Sequence, residues 1–172
     1  MLTTLTIIVF TSCMLCAAVT DLLSMTIRNR VSMILIASFA LIAPLAGMDW
    51  SVYAMHWAAG LAVLLVTFAL FAMGAMGGGD AKLMSATALW MGLGPALVNY
   101  VLVASVLGGV LTLAILLLRA SPRFILSGTE RLLPHLADKK TGIPYGIALG
   151  AAGLLSMTES DLLRWALAPF SG

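Results

Sequence analysis

The sequence predicts an all-α integral membrane protein that folds as one bundle of six transmembrane helices. Of its 172 residues, 62% are hydrophobic and only 9% are charged, and the mean hydropathy is +1.09. A soluble domain carries about 25% charged residues, so this composition excludes one. The net charge of +2 is too small and too dispersed to indicate a nucleic-acid partner. Because no repeat or linker divides the chain, we expect a single transmembrane domain over residues 1–172.

The first three helices are predicted from charge-free segments, because a helix needs about 20 apolar residues to cross a bilayer. The first is expected near 3–20, where it ends before Asp21. The second is expected near 31–47, directly after Arg30, and the third near 51–74, before a run of glycines.

The next charge-free segment, 83–118, is too long for one helix. It contains Gly92-Leu93-Gly94-Pro95, which favours a chain reversal because glycine loosens a helix and proline lacks an N–H donor. We therefore predict a short fourth helix near 81–93, beginning inside the bundle, and a fifth near 96–118. A last helix is expected near 143–158.

Basic residues are distributed unevenly between the two ends of the predicted bundle. Eight of the nine Lys and Arg residues follow the first, third or fifth helix, and only Arg164 follows the sixth. Since basic loops stay on the cytoplasmic side, we expect the N-terminus and the C-terminus outside and the loop 119–142 in the cytoplasm. The lipid bilayer is then the first expected partner.

Two of the seven carboxylates are placed at the cytoplasmic edge of the apolar zone. Asp21 closes the predicted first helix and Asp80 opens the fourth, and an ionisable group at such a depth usually serves function. If these helices are neighbours, the two carboxyls can share one proton and activate water, as the pair in an aspartic protease does. Taken singly, a solvated helix end explains Asp21 and an N-cap explains Asp80 equally well.

A glycine-rich segment leads into Asp80. Gly74, Gly77, Gly78 and Gly79 carry no side chain, so an extended substrate strand can approach the carboxylate closely. We expect the last three to form a substrate-approach loop. A phosphate-binding loop is not expected, because the pattern Gly-x-x-x-x-Gly-Lys-Ser/Thr is missing.

These residues resemble a known family in three places. The segment Gly77-Gly78-Gly79-Asp80-Ala81-Lys82-Leu83 resembles the Gly-x-Gly-Asp-x-Lys-Leu signature of type IV prepilin peptidases, which are intramembrane aspartic proteases. Asp21, with Ile27 and Asn29 after it, is similar to that family's other aspartate, which precedes an Ile-Pro-Asn tripeptide; Arg28 stands where the family usually has proline. Gly142-Ile143-Pro144-Tyr145-Gly146-Ile147-Ala148 resembles the closing Pro-Tyr-Gly segment.

The resemblance implies an aspartic endopeptidase with Asp21 and Asp80 as its catalytic pair and without a metal or other cofactor. It implies cleavage of type IV prepilins, each with a basic leader and a hydrophobic helix, at the cytoplasmic face of the bacterial inner membrane. The small size is similar to the members that serve tight-adherence (Flp) pili. Longer relatives also methylate the new N-terminus and carry an insert with paired Cys-x-x-Cys motifs; without that insert, methylation is not expected.

Other residues have two interpretations each. Lys82 either contacts substrate in the cleft or extends to the lipid headgroups. Pro144 fits the first turn of the last helix, and Tyr145 either lines the cleft or packs between helices. Cys13 and Cys16 have Cys-x-x-Cys spacing, but a structural zinc site needs four ligands, so we interpret them as small packing residues.

A non-enzymatic role is the alternative function. In it, the two aspartates relay protons or bind a cation in a small proton-coupled transporter, or they belong to a membrane subunit of a pilus or secretion assembly. A transporter needs access from both faces of the membrane. Because both acids are predicted at one face, the sequence favours the peptidase.

Overall fold

The computed structural model describes residues 2–120 and 141–160, and within them the regular secondary structure is entirely helical, which confirms the predicted class. The helices are α1 (Leu2–Ser24), α2 (Asn29–Leu45), α3 (Trp50–Ala72), α4 (Gly78–Met91), α5 (Pro95–Ala120) and α6 (Tyr145–Ser156), followed by a 3-10 turn at Met157–Glu159. Each predicted helix therefore has a counterpart. Most of the predicted cytoplasmic loop, and Arg164, lie outside the described residues.

Three of the described helices are long and apolar enough to cross a membrane. They are α1, α3 and α5, of 23, 23 and 26 residues, and α2 is a shorter apolar helix of 17. Exposed leucine and valine side chains cover the outer faces of α3 and α5, as expected for surfaces against lipid. The six spans and the side on which each terminus lies remain predictions.

The short helix α4 lies at the centre of the bundle. It packs against α3, α2 and α6, while α1 packs against α6 and α2. Its Trp90 is fully buried, packs in a tilted arrangement with its ring centroid 5.1 Å from that of Phe10, and donates its indole N–H to the Leu35 carbonyl at 3.0 Å. Since α4 has only 14 residues and is buried on nearly all sides, the expectation of a short helix inside the bundle is confirmed.

Three differences between the predicted and observed helix ends change the placement of a candidate site residue. The first helix continues to Ser24, so Asp21 lies one turn inside it and does not close it. Helix α4 begins at Gly78, so Asp80 lies within its first turn and does not open it. Pro144 directly precedes α6 with a non-helical ψ of 81° and is not in its first turn. The prediction relied on charged residues and proline, which do not mark these ends.

Glycine is required at the end of α4. Gly92 has φ +73°, and a Cβ there would lie 2.7 Å from His56 Nε2. We expect Gly92→Ala to destabilise the protein by about 2 kcal/mol or more, because the left-handed backbone and the steric overlap both oppose a side chain. The measurement is the thermal midpoint in detergent. Gly94→Ala is the control, since nothing lies within 4 Å of its added Cβ, and equal midpoints for the two variants would contradict the prediction.

Candidate active site

A cavity of about 860 Å³ opens beside the first turn of α4. Its walls come from the end of α1, the segment between α3 and α4, the first two turns of α4, the middle of α5 and the start of α6. Its lining residues are Asp21, Met25, Gly74, Ala75, Met76, Gly77, Asp80, Met84, Ala104, Ser105, Gly108, Gly109, Thr141, Gly142, Ile143, Tyr145 and Leu149. The cavity thus brings together both aspartates that the sequence singled out.

Asp21 is held by the main chain of α6. Its side chain is only 5% exposed, and its Oδ2 accepts a hydrogen bond from the Gly146 N–H at 2.6 Å. This N–H belongs to the first turn of α6, where backbone donors have no partner within the helix. A Cβ on Gly146 would lie 2.7 Å from Asp21 Cβ, so only glycine allows this approach. The burial excludes a solvated helix end as the explanation of Asp21.

Asp80 lies on the opposite wall, at the third position of α4. The Gly77 N–H donates to its carboxylate, which is the geometry of a helix N-terminal capping box. Asp80 lies outside the three helices long enough to span a membrane. Burial of the carboxyl and the negative charge of Asp21 raise its pKa to about 6, against the opposing effect of the Gly77 hydrogen bond. The two carboxyls are therefore electrostatically coupled across the cavity.

The pKa of Asp80 predicts how the protein's stability changes with pH. Above pH 3.8 the carboxyl loses its proton in the unfolded state, whereas in the folded state it keeps it up to about pH 6. The free energy of unfolding therefore falls between these two values, and the loss is complete above about pH 6. We therefore expect Asp80→Asn to raise the thermal midpoint at pH 8 by several degrees and to change it little near pH 4. Asp49→Asn, at the exposed N-cap of α3, serves as the control. A lower midpoint for Asp80→Asn at pH 8 would contradict this prediction.

The glycine segment has a more limited role than expected. Gly77 lines the cavity, but Gly78 and Gly79 do not, because both belong to α4. A Cβ on Gly78 would lie 3.2 Å from the Phe71 ring, and one on Gly79 would lie 3.2 Å from Ile27 Cβ. These two glycines therefore allow close packing of the first turn of α4. Of the three glycines in the predicted approach loop, only Gly77 lines the cavity, together with residues 74–76 before it.

Tyr145 forms part of the wall on the side of α5. Its hydroxyl and the Thr112 hydroxyl form a hydrogen bond of 2.8 Å. Its ring packs against Gly108, where an added Cβ would lie 3.1 Å from the ring atom Cε1. Small residues of α5 that were not predicted as site residues continue this wall; they are Ala104, Ser105, Gly108 and Gly109. Their spacing of four residues is the pattern of close helix packing and was the available signal.

The other candidates lie away from this cavity. The Lys82 Nζ donates to Asn29 Oδ1 at 3.0 Å, and Lys82 lines a different groove, so it does not line the predicted cleft. Pro144 is buried but is not among the lining residues either, because it turns the chain into α6. On α1, Cys13 is buried and Cys16 is exposed, as unpaired thiols.

Comparison with known proteins identifies one match. A family model described as the type IV leader peptidase family matches residues 8–113, well over half of the chain. The matched stretch contains both aspartates and ends within α5, before the Tyr145 and Gly146 wall. Neither the curated proteins nor the solved structures yielded a match.

Proposed function

Because the chain belongs to the type IV leader peptidase family, we propose that it is an aspartic endopeptidase that removes the leader peptide of type IV, Flp-type prepilins. Cleavage takes place at the cytoplasmic face of the bacterial inner membrane. Asp21 and Asp80 are the catalytic pair. One observation carries the proposal: the two carboxyls line the same cavity and lie close enough for the charge of Asp21 to raise the pKa of Asp80.

The proposed reaction uses one ionised and one protonated carboxyl. The ionised carboxylate takes a proton from water while the water oxygen attacks the scissile carbonyl carbon. The protonated carboxyl donates to the carbonyl oxygen, and a proton then passes to the leaving amine as the C–N bond breaks. Both roles belong to the coupled pair. The Gly146 and Gly77 N–H groups hold the two carboxylates in position for this chemistry.

The charge of the cavity supports a prepilin as substrate. Among the described residues that line it, the only charged ones are Asp21 and Asp80, so the cavity attracts a basic leader. The wall formed by Ala104, Gly108 and Leu149 is apolar and suits the hydrophobic helix that follows the leader. The cut then falls at the junction of these two parts.

The test is cleavage of a purified Flp-type prepilin by the purified protein in detergent, with mass analysis of the products. We expect a single cut at the junction of leader and helix, and no methyl group on the new N-terminus. The same preparation in proteoliposomes is assayed for proton flux. Proton flux without proteolysis would overturn the proposal in favour of a transporter.

A further inference from the structure

A second opening lies on the other side of α4, between α2 and α3. This lipid-facing groove has a volume of about 540 Å³ and shares no lining residue with the aspartate cavity. Its lining residues are Asn29, Ser32, Met33, Ile36, Trp57, Gly60, Leu61, Leu64, Lys82, Ser85, Ala86 and Leu89. Most of its length is apolar, and its polar residues come from the first turn of α2 and the first two turns of α4.

The charge at this polar end is positive. Lys82 is the single ionisable residue among the described residues that line the groove, and its Nζ donates to Asn29 Oδ1 at 3.0 Å. Arg28 and Arg30 flank Asn29 and are exposed. The end of the groove is therefore suited to an anion.

Ser32 is a further polar residue at this end. Its side chain is only 5% exposed, it lines the groove one turn after Asn29, and its hydroxyl has no hydrogen-bond partner among the described residues. Buried hydroxyls nearly always have a partner, because leaving one unsatisfied costs about 1–3 kcal/mol. A phosphate oxygen beside Lys82 is an acceptor for this hydroxyl, and the phosphate's negative charge complements the ammonium group.

We propose that the lipid-facing groove binds one anionic phospholipid of the adjoining leaflet. The phosphate interacts with Lys82, Asn29 and Ser32, and an acyl chain lies along the apolar wall formed by residues such as Ile36 and Leu61. The lipid would bridge α2 and α3 over α4, the helix that carries Asp80. This proposal does not depend on the proposed peptidase activity.

A substrate helix fits the groove less well. A basic leader would be repelled by Lys82, whereas a lipid phosphate is attracted to it.

The charge requirement is tested by native mass spectrometry of the purified full chain with added phosphatidylglycerol or phosphatidylcholine of the same acyl chains. We expect phosphatidylglycerol to be retained several-fold more strongly. Lys82→Gln should weaken its retention about fivefold, the change expected for one basic residue near a membrane surface. Arg119→Gln removes a cation on α5 outside the groove and should weaken retention by a smaller factor. Equal retention of the two lipids, or an equal effect of the two variants, would overturn the proposal.

The acyl-chain position is tested by filling the groove. Gly60→Leu places a side chain among the lining residues, whereas Ala62→Leu lies on an exposed part of the same helix and outside the groove. We expect only the first to reduce phosphatidylglycerol retention. A photoreactive residue at position 36 should crosslink to lipid. Crosslinking to added prepilin at that position, or full competition by inorganic phosphate, would show a different occupant and contradict the proposal.

Discussion

Asp21→Asn and Asp80→Asn are each expected to lower kcat/KM for prepilin cleavage by about 10³-fold or more. Each change removes one half of the proton transfer, because asparagine can neither take a proton from water nor donate one to the leaving amine. The double variant should be no worse than either single one, since the two carboxyls act as a unit. The measurement is product formation under single-turnover conditions, with substrate and product separated by mass.

The control for this pair is Asp49→Asn. Asp49 precedes α3, is exposed and does not line the cavity, so its replacement should leave cleavage unchanged. Thermal midpoints of all variants establish that the proteins are folded. Full activity in either single aspartate variant would refute the catalytic pair, and a further loss in the double variant would show that the two groups act independently.

The second large effect is expected at Gly146. Its added Cβ would lie 2.7 Å from Asp21 Cβ and 2.9 Å from Asp21 Oδ2, so Gly146→Ala must displace the carboxylate or the start of α6. A displacement of about 1 Å in a catalytic group lowers the rate by about 100-fold. We therefore expect kcat for prepilin cleavage to fall by about that factor, measured with saturating substrate and corrected for the folded fraction.

Gly150→Ala is a matched control for Gly146→Ala. It lies one turn further along α6, and its added Cβ would lie 2.8 Å from the Met14 carbonyl oxygen, so it strains the same contact between α1 and α6 away from Asp21. We expect it to lower the thermal midpoint but to keep the kcat of the folded protein. Equal losses of kcat in the two variants would mean that the helix contact, and not the position of Asp21, determines activity.

The helices were predictable from the sequence because sixteen charged residues divide an otherwise apolar chain. Each long charge-free segment contributed one helix, except 83–118, which contributed most of α4 and α5 and is divided at Gly92 and Pro95 as expected. The pairing of Asp21 with Asp80 was stated from their placement at one edge of the apolar zone, and both line one cavity. These features were predictable because ionisable groups are costly inside a bilayer and therefore mark helix ends and functional positions.

Other features depend on which helix faces are neighbours, and the sequence did not specify them. Helix α4 is apolar around most of its circumference, so no periodicity showed that Lys82 points towards Asn29. The contact between Gly146 and Asp21 joins residues 125 positions apart. Such contacts follow from three-dimensional packing. A single glycine in an apolar helix does not indicate which residue will pack against it.

The shortness of α4 has a consequence for hydration. With 14 residues at 1.5 Å each, it extends about 21 Å, whereas the hydrocarbon layer of a bilayer is about 30 Å thick. The aspartate cavity opens beside the N-terminal end of α4, and its 860 Å³ has room for on the order of thirty water molecules at about 30 Å³ each. A hydrolysis reaction in the membrane can therefore use water held in this cavity, and a separate water channel through the bundle is not required.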